Sequence, residues 1–167
     1  GLVLAILLTM LFLRKVGQAA GLIKEFSTAV FYVLGIAWLP LLRLEGMDWI
    51  WQNLIFIPAY IALAFLNLLM LSFLDRKEDA TQGFASAALT IEPIRLLGWI
   101  RKLAFALIFL SLAGFILLPS FYRPFTCLLL LMTLIHYLSF FHAGISTEAK
   151  RGRMESAFML PFLLWAL

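Results

Sequence analysis

The sequence predicts an all-α, polytopic transmembrane helix bundle of about six spans. Three observations carry that prediction. First, hydrophobic residues make up 64% of the 167 residues and charged residues only 13%, against about 45–50% and about 25% in an average soluble domain. A soluble core of this size has no room for so much apolar surface. Second, the apolar residues fall in runs near the roughly 20 residues a helix needs to cross hydrocarbon. The runs lack the alternating polarity of barrel strands, and in lipid a helix satisfies its own backbone groups. Third, the basic residues segregate to one side of the layout that those runs define. A soluble globular domain, a disordered tail and a nucleic-acid-binding module are all excluded, so no nucleic acid is expected among the partners.

The predicted spans are 1–13, 26–42, 49–74, 99–118, 125–141 and 157–167. The first is read as the tail of a helix that begins before Gly1, because it lacks both the charged leader and the cleavage site of a signal peptide. Pro40, Pro58, Pro119, Pro124 and Pro161 lie near span ends or at kinks that neighbouring helices tolerate. Six spans put segments 14–25, 75–102 and 143–155 on one side, with eleven of the thirteen Lys and Arg; Arg43 and Arg123 are alone on the other. The basic side is therefore expected to face the cytoplasm, as in a bacterial inner-membrane protein. Trp38, Trp49, Trp51 and Trp99 sit near span ends, at interface depth. The single cysteine, Cys127, supports no disulfide framework or thiolate metal cluster.

Chemistry is concentrated in the connection 75–98, which reads DRKEDATQGFASAALTIEPIRLLG. It follows the third span with no spacer, so the helix is expected to run out of the membrane into it. Asp75 and Asp79 are four apart, which places both carboxylates on one helix face. Glu78 can join them, and Gly83 is a plausible helix stop. Two like charges at this spacing mildly destabilise a helix. A divalent cation offsets that cost, and Mg²⁺ is commonly held by one or two carboxylates plus substrate phosphates. Arg76 and Lys77 add positive charge for a diphosphate. The plainer reading is a solvated helix end whose acids are neutralised by Arg76 and Lys77.

The run Asp75-Arg76-x-x-Asp79-x3-Gly83-x2-Ser86 resembles the second aspartate-rich motif of the UbiA superfamily of intramembrane prenyltransferases. The resemblance implies a bundle of nine helices in two related halves, each with one aspartate-rich motif on the cytoplasmic side. The chain, a single transmembrane domain over 1–167, would match the fourth to ninth helices. The motif ends the third span here, three spans follow it, and Lys150-Arg151-x-Arg153 precedes the last.

By resemblance, the activity would be Mg²⁺-dependent transfer of a prenyl group from a prenyl diphosphate to an aromatic or other lipid-soluble acceptor. Asp75 and Asp79 would be the metal ligands through the substrate diphosphate, and Asn67, Arg76 and Lys77 would be substrate-binding. Phe65, Phe73, Phe140 and Tyr137 are candidates, by depth only, to face an allylic cation. Leu68, Leu71 and Ala85 stand where the family often has aspartate, tyrosine and lysine, and the first aspartate-rich motif is absent from these residues. These departures motivate a second expectation, a non-catalytic relative serving as a structural subunit with protein partners in a membrane complex.

Asn67, two turns deeper than Asp75, either functions there or bonds a neighbouring helix. His136, inside the fifth span, is expected to hydrogen-bond another helix, and His142 to sit at the interface. Glu92-Pro93 opens the approach to the fourth span, and Glu45 and Asp48 are solvated loop acids on the outer side. A transporter or channel ranks last, because the spans lack the charges that mark an ion path.

Overall fold

A computed structural model describes residues 20–42, 56–83 and 86–162, all of whose regular structure is helical. The elements are α1 (Ala20–Leu42), α2 (Phe56–Leu74), α3 (Arg76–Gln82), α4 (Ala87–Thr90), α5 (Pro93–Leu117), a 3₁₀ turn (Ser120–Tyr122), α6 (Arg123–Phe141), α7 (Thr147–Ala157) and a second 3₁₀ turn (Leu160–Phe162). Among the described residues, three stretches are long and apolar enough to cross a membrane: Phe56–Leu74, Pro93–Leu117 and Ser120–Phe141. The chain therefore has the character of a membrane protein.

The helix starts follow from local chemistry. Pro93 opens α5 and Pro124 lies in the first turn of α6, where the missing N–H costs nothing and the fixed φ suits a helix. Ser146 caps α7, its hydroxyl accepting the Ala149 N–H at 3.2 Å.

The chain divides into two compact units, Gly1–Leu97 and Gly98–Leu167. In the first, α1 packs along α2, and α4 rests on both. Ala29, Leu63, Leu66 and Met70 are fully buried there, and Phe26 meets Phe65 edge to face at 5.5 Å between ring centres. In the second, α7 folds back on α6, with Met154 and Ala157 buried. Lys150 Nζ donates to the Phe140 carbonyl at 2.8 Å, satisfying one of the open C-terminal carbonyls of α6. The outer surfaces of α5 and α6 are apolar: Phe109 is 75% exposed and Leu138 64%, an arrangement suited to lipid rather than water.

Several expectations take a different form. The predicted first span and residues 49–55 of the third lie outside the described residues, as do Glu45 and Asp48. The fourth span begins six residues earlier than expected, at Pro93. At the predicted sixth span, α7 ends at Ala157 and a 3₁₀ turn follows at Leu160–Phe162; residues 163–167 lie outside the described residues. Among the described residues His136 bonds its own helix rather than another: its Nδ1 lies 2.7 Å from the Met132 carbonyl, one turn back, and its buried Nε2 has no partner there. The imidazole makes a T-shaped contact with Phe158 at 5.2 Å between ring centres, so a neighbour it contacts is an aromatic ring. His142 is exposed at the end of α6, consistent with an interfacial position.

Candidate functional site

The site grows from the end of α2. The Asp75 N–H donates to the Leu71 carbonyl at 2.8 Å, and its own carbonyl accepts the Asp79 N–H at 2.9 Å. The helical hydrogen-bond ladder thus continues across the turn at Asp75, which separates α2 from α3. Asp75 and Asp79 therefore stand one turn apart, both half-buried. Arg76 is half-buried and Lys77 exposed. Glu78 does not join the pair: its Oε1 accepts from Gln82 Nε2 at 3.2 Å on the exposed side of α3. Glu78 and Asp79 lie in the first turn of α3, where the helix dipole favours negative charge.

Gly83 stops α3 as the spacing predicted. Its φ is 71° and ψ 20°, and its N–H donates to the Asp79 carbonyl. This left-handed conformation strains any residue with a Cβ. The chain then returns toward α1 and α2. The N–H groups of Ala87 and Ala88 would be unsatisfied at the start of a helix. Glu25 Oε1 accepts the first at 2.9 Å, and the Ser72 hydroxyl accepts the second at 3.0 Å. Such approach requires a bare backbone at Gly21. A Cβ there would lie 2.7 Å from the Ser86 carbonyl carbon and oxygen and 2.8 Å from the Ala87 nitrogen.

This corner holds buried polar atoms without hydrogen-bond partners among the described residues: Glu25 Oε2 and Ser86 Oγ. Asn67 Oδ1 is a third, eight residues before Asp75 and so about 12 Å deeper along α2. Glu25 precedes the apolar stretch of α1 and is 7% exposed. Burial raises its carboxyl above the usual range; the Ala87 N–H, the Ser72 hydroxyl and Lys24 pull the other way, and the negative charge of Asp79 adds to the rise.

Sequence reasoning found Asp75, Asp79, Asn67, Arg76 and Lys77 but passed over Glu25, Ser72 and Ser86. An acid at the rim of an apolar run was the available signal for Glu25. Of the cation-facing candidates, Phe65 is engaged with Phe26, Phe140 packs edge-on against Phe141, and Tyr137 lies between Phe105 and Phe141.

Among the described residues no group of three or more His, Cys, Asp or Glu side chains forms a metal cage. No protein-family model, no curated protein and no solved structure matches the chain.

Proposed function

We propose that the protein is an intramembrane prenyltransferase of UbiA type, acting on a prenyl diphosphate and a lipid-soluble acceptor. The observation that carries this reading is the Asp75–Asp79 pair, one helical turn apart at the end of an apolar helix long enough to span. Asp75 and Asp79 would hold Mg²⁺ together with the diphosphate. The bound ion would supply charge neutralisation for a diphosphate leaving group.

The protein's own residues have separate tasks. Arg76 and Lys77 attract the anion electrostatically. Asn67 offers a buried amide deeper along α2. Glu25 and Ser72 hold the α4 turn against α1 and α2, which limits where the chain after Gly83 can move. Apolar surroundings exclude the water that would trap an allylic cation. In this reading the chain has six spans, lies in a bacterial inner membrane and carries the motif on the cytoplasmic face, an orientation that the segregation of basic residues favours.

The test is prenyl transfer by Asp75→Asn and Asp79→Asn variants of the purified protein. Each is expected to lose at least about tenfold in rate, equivalent to about 1.4 kcal/mol. Full activity in both contradicts the assignment. A non-catalytic structural subunit is the second reading, favoured by Leu68, Leu71 and Ala85; it predicts co-purifying proteins and no diphosphate binding.

A further inference from the structure

A cleft whose lining differs from the Asp75–Asp79 corner lies in the unit Gly98–Leu167. This open cleft of about 340 Å³ is lined by Ile135, Leu138 and Ser139 of α6, by His142 just past its end, and by Arg153 and Ser156 of α7. The three α6 residues are spaced i, i+3 and i+4, and the two α7 residues i and i+3, so each helix presents one face to the cleft. The cleft persists because α7 is anchored elsewhere. Met154 and Ala157 are buried, and Lys150 is committed to the Phe140 carbonyl.

The lining is graded. Ile135 and Leu138 lie within the Ser120–Phe141 stretch that is apolar enough to span, and His142 is the first residue beyond it. From Ile135 to His142 is about 10 Å along the helix. The cleft thus runs from an apolar end, within a stretch long and apolar enough to span, to a basic end just beyond it. Ser139 is 5% exposed, and its hydroxyl makes no hydrogen bond among the described residues. Arg153 has neither an ion pair nor a side-chain hydrogen bond among them. Ser156 donates its hydroxyl to the Arg153 carbonyl at 2.9 Å and keeps acceptor capacity only. Neither Glu148 nor Glu155 lines the cleft, so no acid competes for the guanidinium within it.

We propose that this cleft binds an anionic glycerophospholipid from the surrounding bilayer. Arg153, with its planar fork of donors, takes the phosphodiester, and Ser139 and His142 offer further donors. The first methylenes of an acyl chain lie on Ile135 and Leu138. The volume suits a headgroup and part of one chain rather than a whole lipid. An anionic lipid is favoured over a zwitterionic one because, among the described residues, the cleft holds a cation with no ion-pair partner and is lined by no carboxylate.

The test is native mass spectrometry of the protein released from nanodiscs of phosphatidylglycerol mixed equally with phosphatidylcholine. The wild type is expected to retain one phosphatidylglycerol preferentially, and Arg153→Gln to lower that retention at least tenfold. Arg151→Gln removes the same charge from the same helix outside the cleft and is expected to retain the lipid. Unchanged retention in Arg153→Gln, or equal loss in both variants, overturns the site. Saturating inorganic phosphate is expected to leave the lipid bound; displacement by it overturns the lipid assignment in favour of a free-phosphate site.

Discussion

Glu25 and Ala87 are 62 residues apart in sequence, yet the Glu25 carboxylate accepts the Ala87 N–H at 2.9 Å in a buried corner. This bond, with the parallel one from Ala88 to Ser72, determines where the chain goes after the Asp75–Asp79 helix. A loop of this composition would otherwise be free to extend into solvent. The start of α4 instead becomes part of the wall formed by α1 and α2.

Gly21 sets how close that wall can be. A methyl group at this position would collide with the Ser86 and Ala87 backbone, which cannot rotate away as a side chain would. Gly21→Ala is expected to cost about 1–3 kcal/mol and to lower the thermal midpoint in detergent. Gly35, on the same helix, has nothing within 4 Å of an added Cβ. Gly35→Ala should be neutral or stabilise by about 0.5–1 kcal/mol. Equal effects of the two substitutions would contradict the close approach.

Removing an acceptor leaves a buried backbone donor unpaired. Ser72→Ala and Glu25→Ala are each expected to destabilise by about 1–3 kcal/mol. Because both bonds pin the same short turn, the two losses should be non-additive in a double-mutant cycle. Additive losses would show that the two bonds act independently.

Glu25 also gives stability a pH dependence. Its folded carboxyl is raised above the ordinary 4.5, chiefly by burial. The folded state therefore holds this proton more tightly than the unfolded state. The stabilisation is fully present below the ordinary value and is lost as pH rises through the folded one. Glu25→Gln keeps an acceptor for the Ala87 N–H but cannot titrate. The wild-type midpoint is expected to fall relative to Glu25→Gln as pH rises from 4.5 to 8, in scans that compare the two. Parallel profiles would remove Glu25 as the source.

In the second unit, Lys150 is the corresponding tether. Its ammonium holds the Phe140 carbonyl at 2.8 Å, a charge-assisted bond worth about 1.5–3 kcal/mol. Lys150→Met is expected to loosen α7, seen as faster amide exchange over Thr147–Ala157 with α6 unaffected. Unchanged exchange in α7 would show that Met154 and Ala157 hold it alone.

The helical class and the long apolar stretches were legible because they rest on composition and run length, which tertiary contacts do not alter. Gly83 as the stop of α3 was legible for a related reason: a left-handed terminus demands glycine. The roles of Glu25 and Ser72 were not, since bonds spanning 62 and 16 residues leave no local pattern. His136 illustrates another limit. A polar side chain inside an apolar run signals a partner, but the sequence does not say whether that partner is a neighbouring helix or, as here, the carbonyl one turn back. At the beginning of the predicted sixth span the residues are apolar, yet Pro161 falls where a 3₁₀ turn forms, a local feature that composition does not reveal.

The central claim is that Asp75 and Asp79 bind a prenyl diphosphate through Mg²⁺, and equilibrium binding of a prenyl diphosphate to the purified protein tests it most directly. The account predicts saturable binding in Mg²⁺, abolished by chelation and weakened at least about tenfold, or about 1.4 kcal/mol, by Asp79→Asn. Binding that is indifferent to both chelation and Asp79→Asn, or no binding at all, would contradict it.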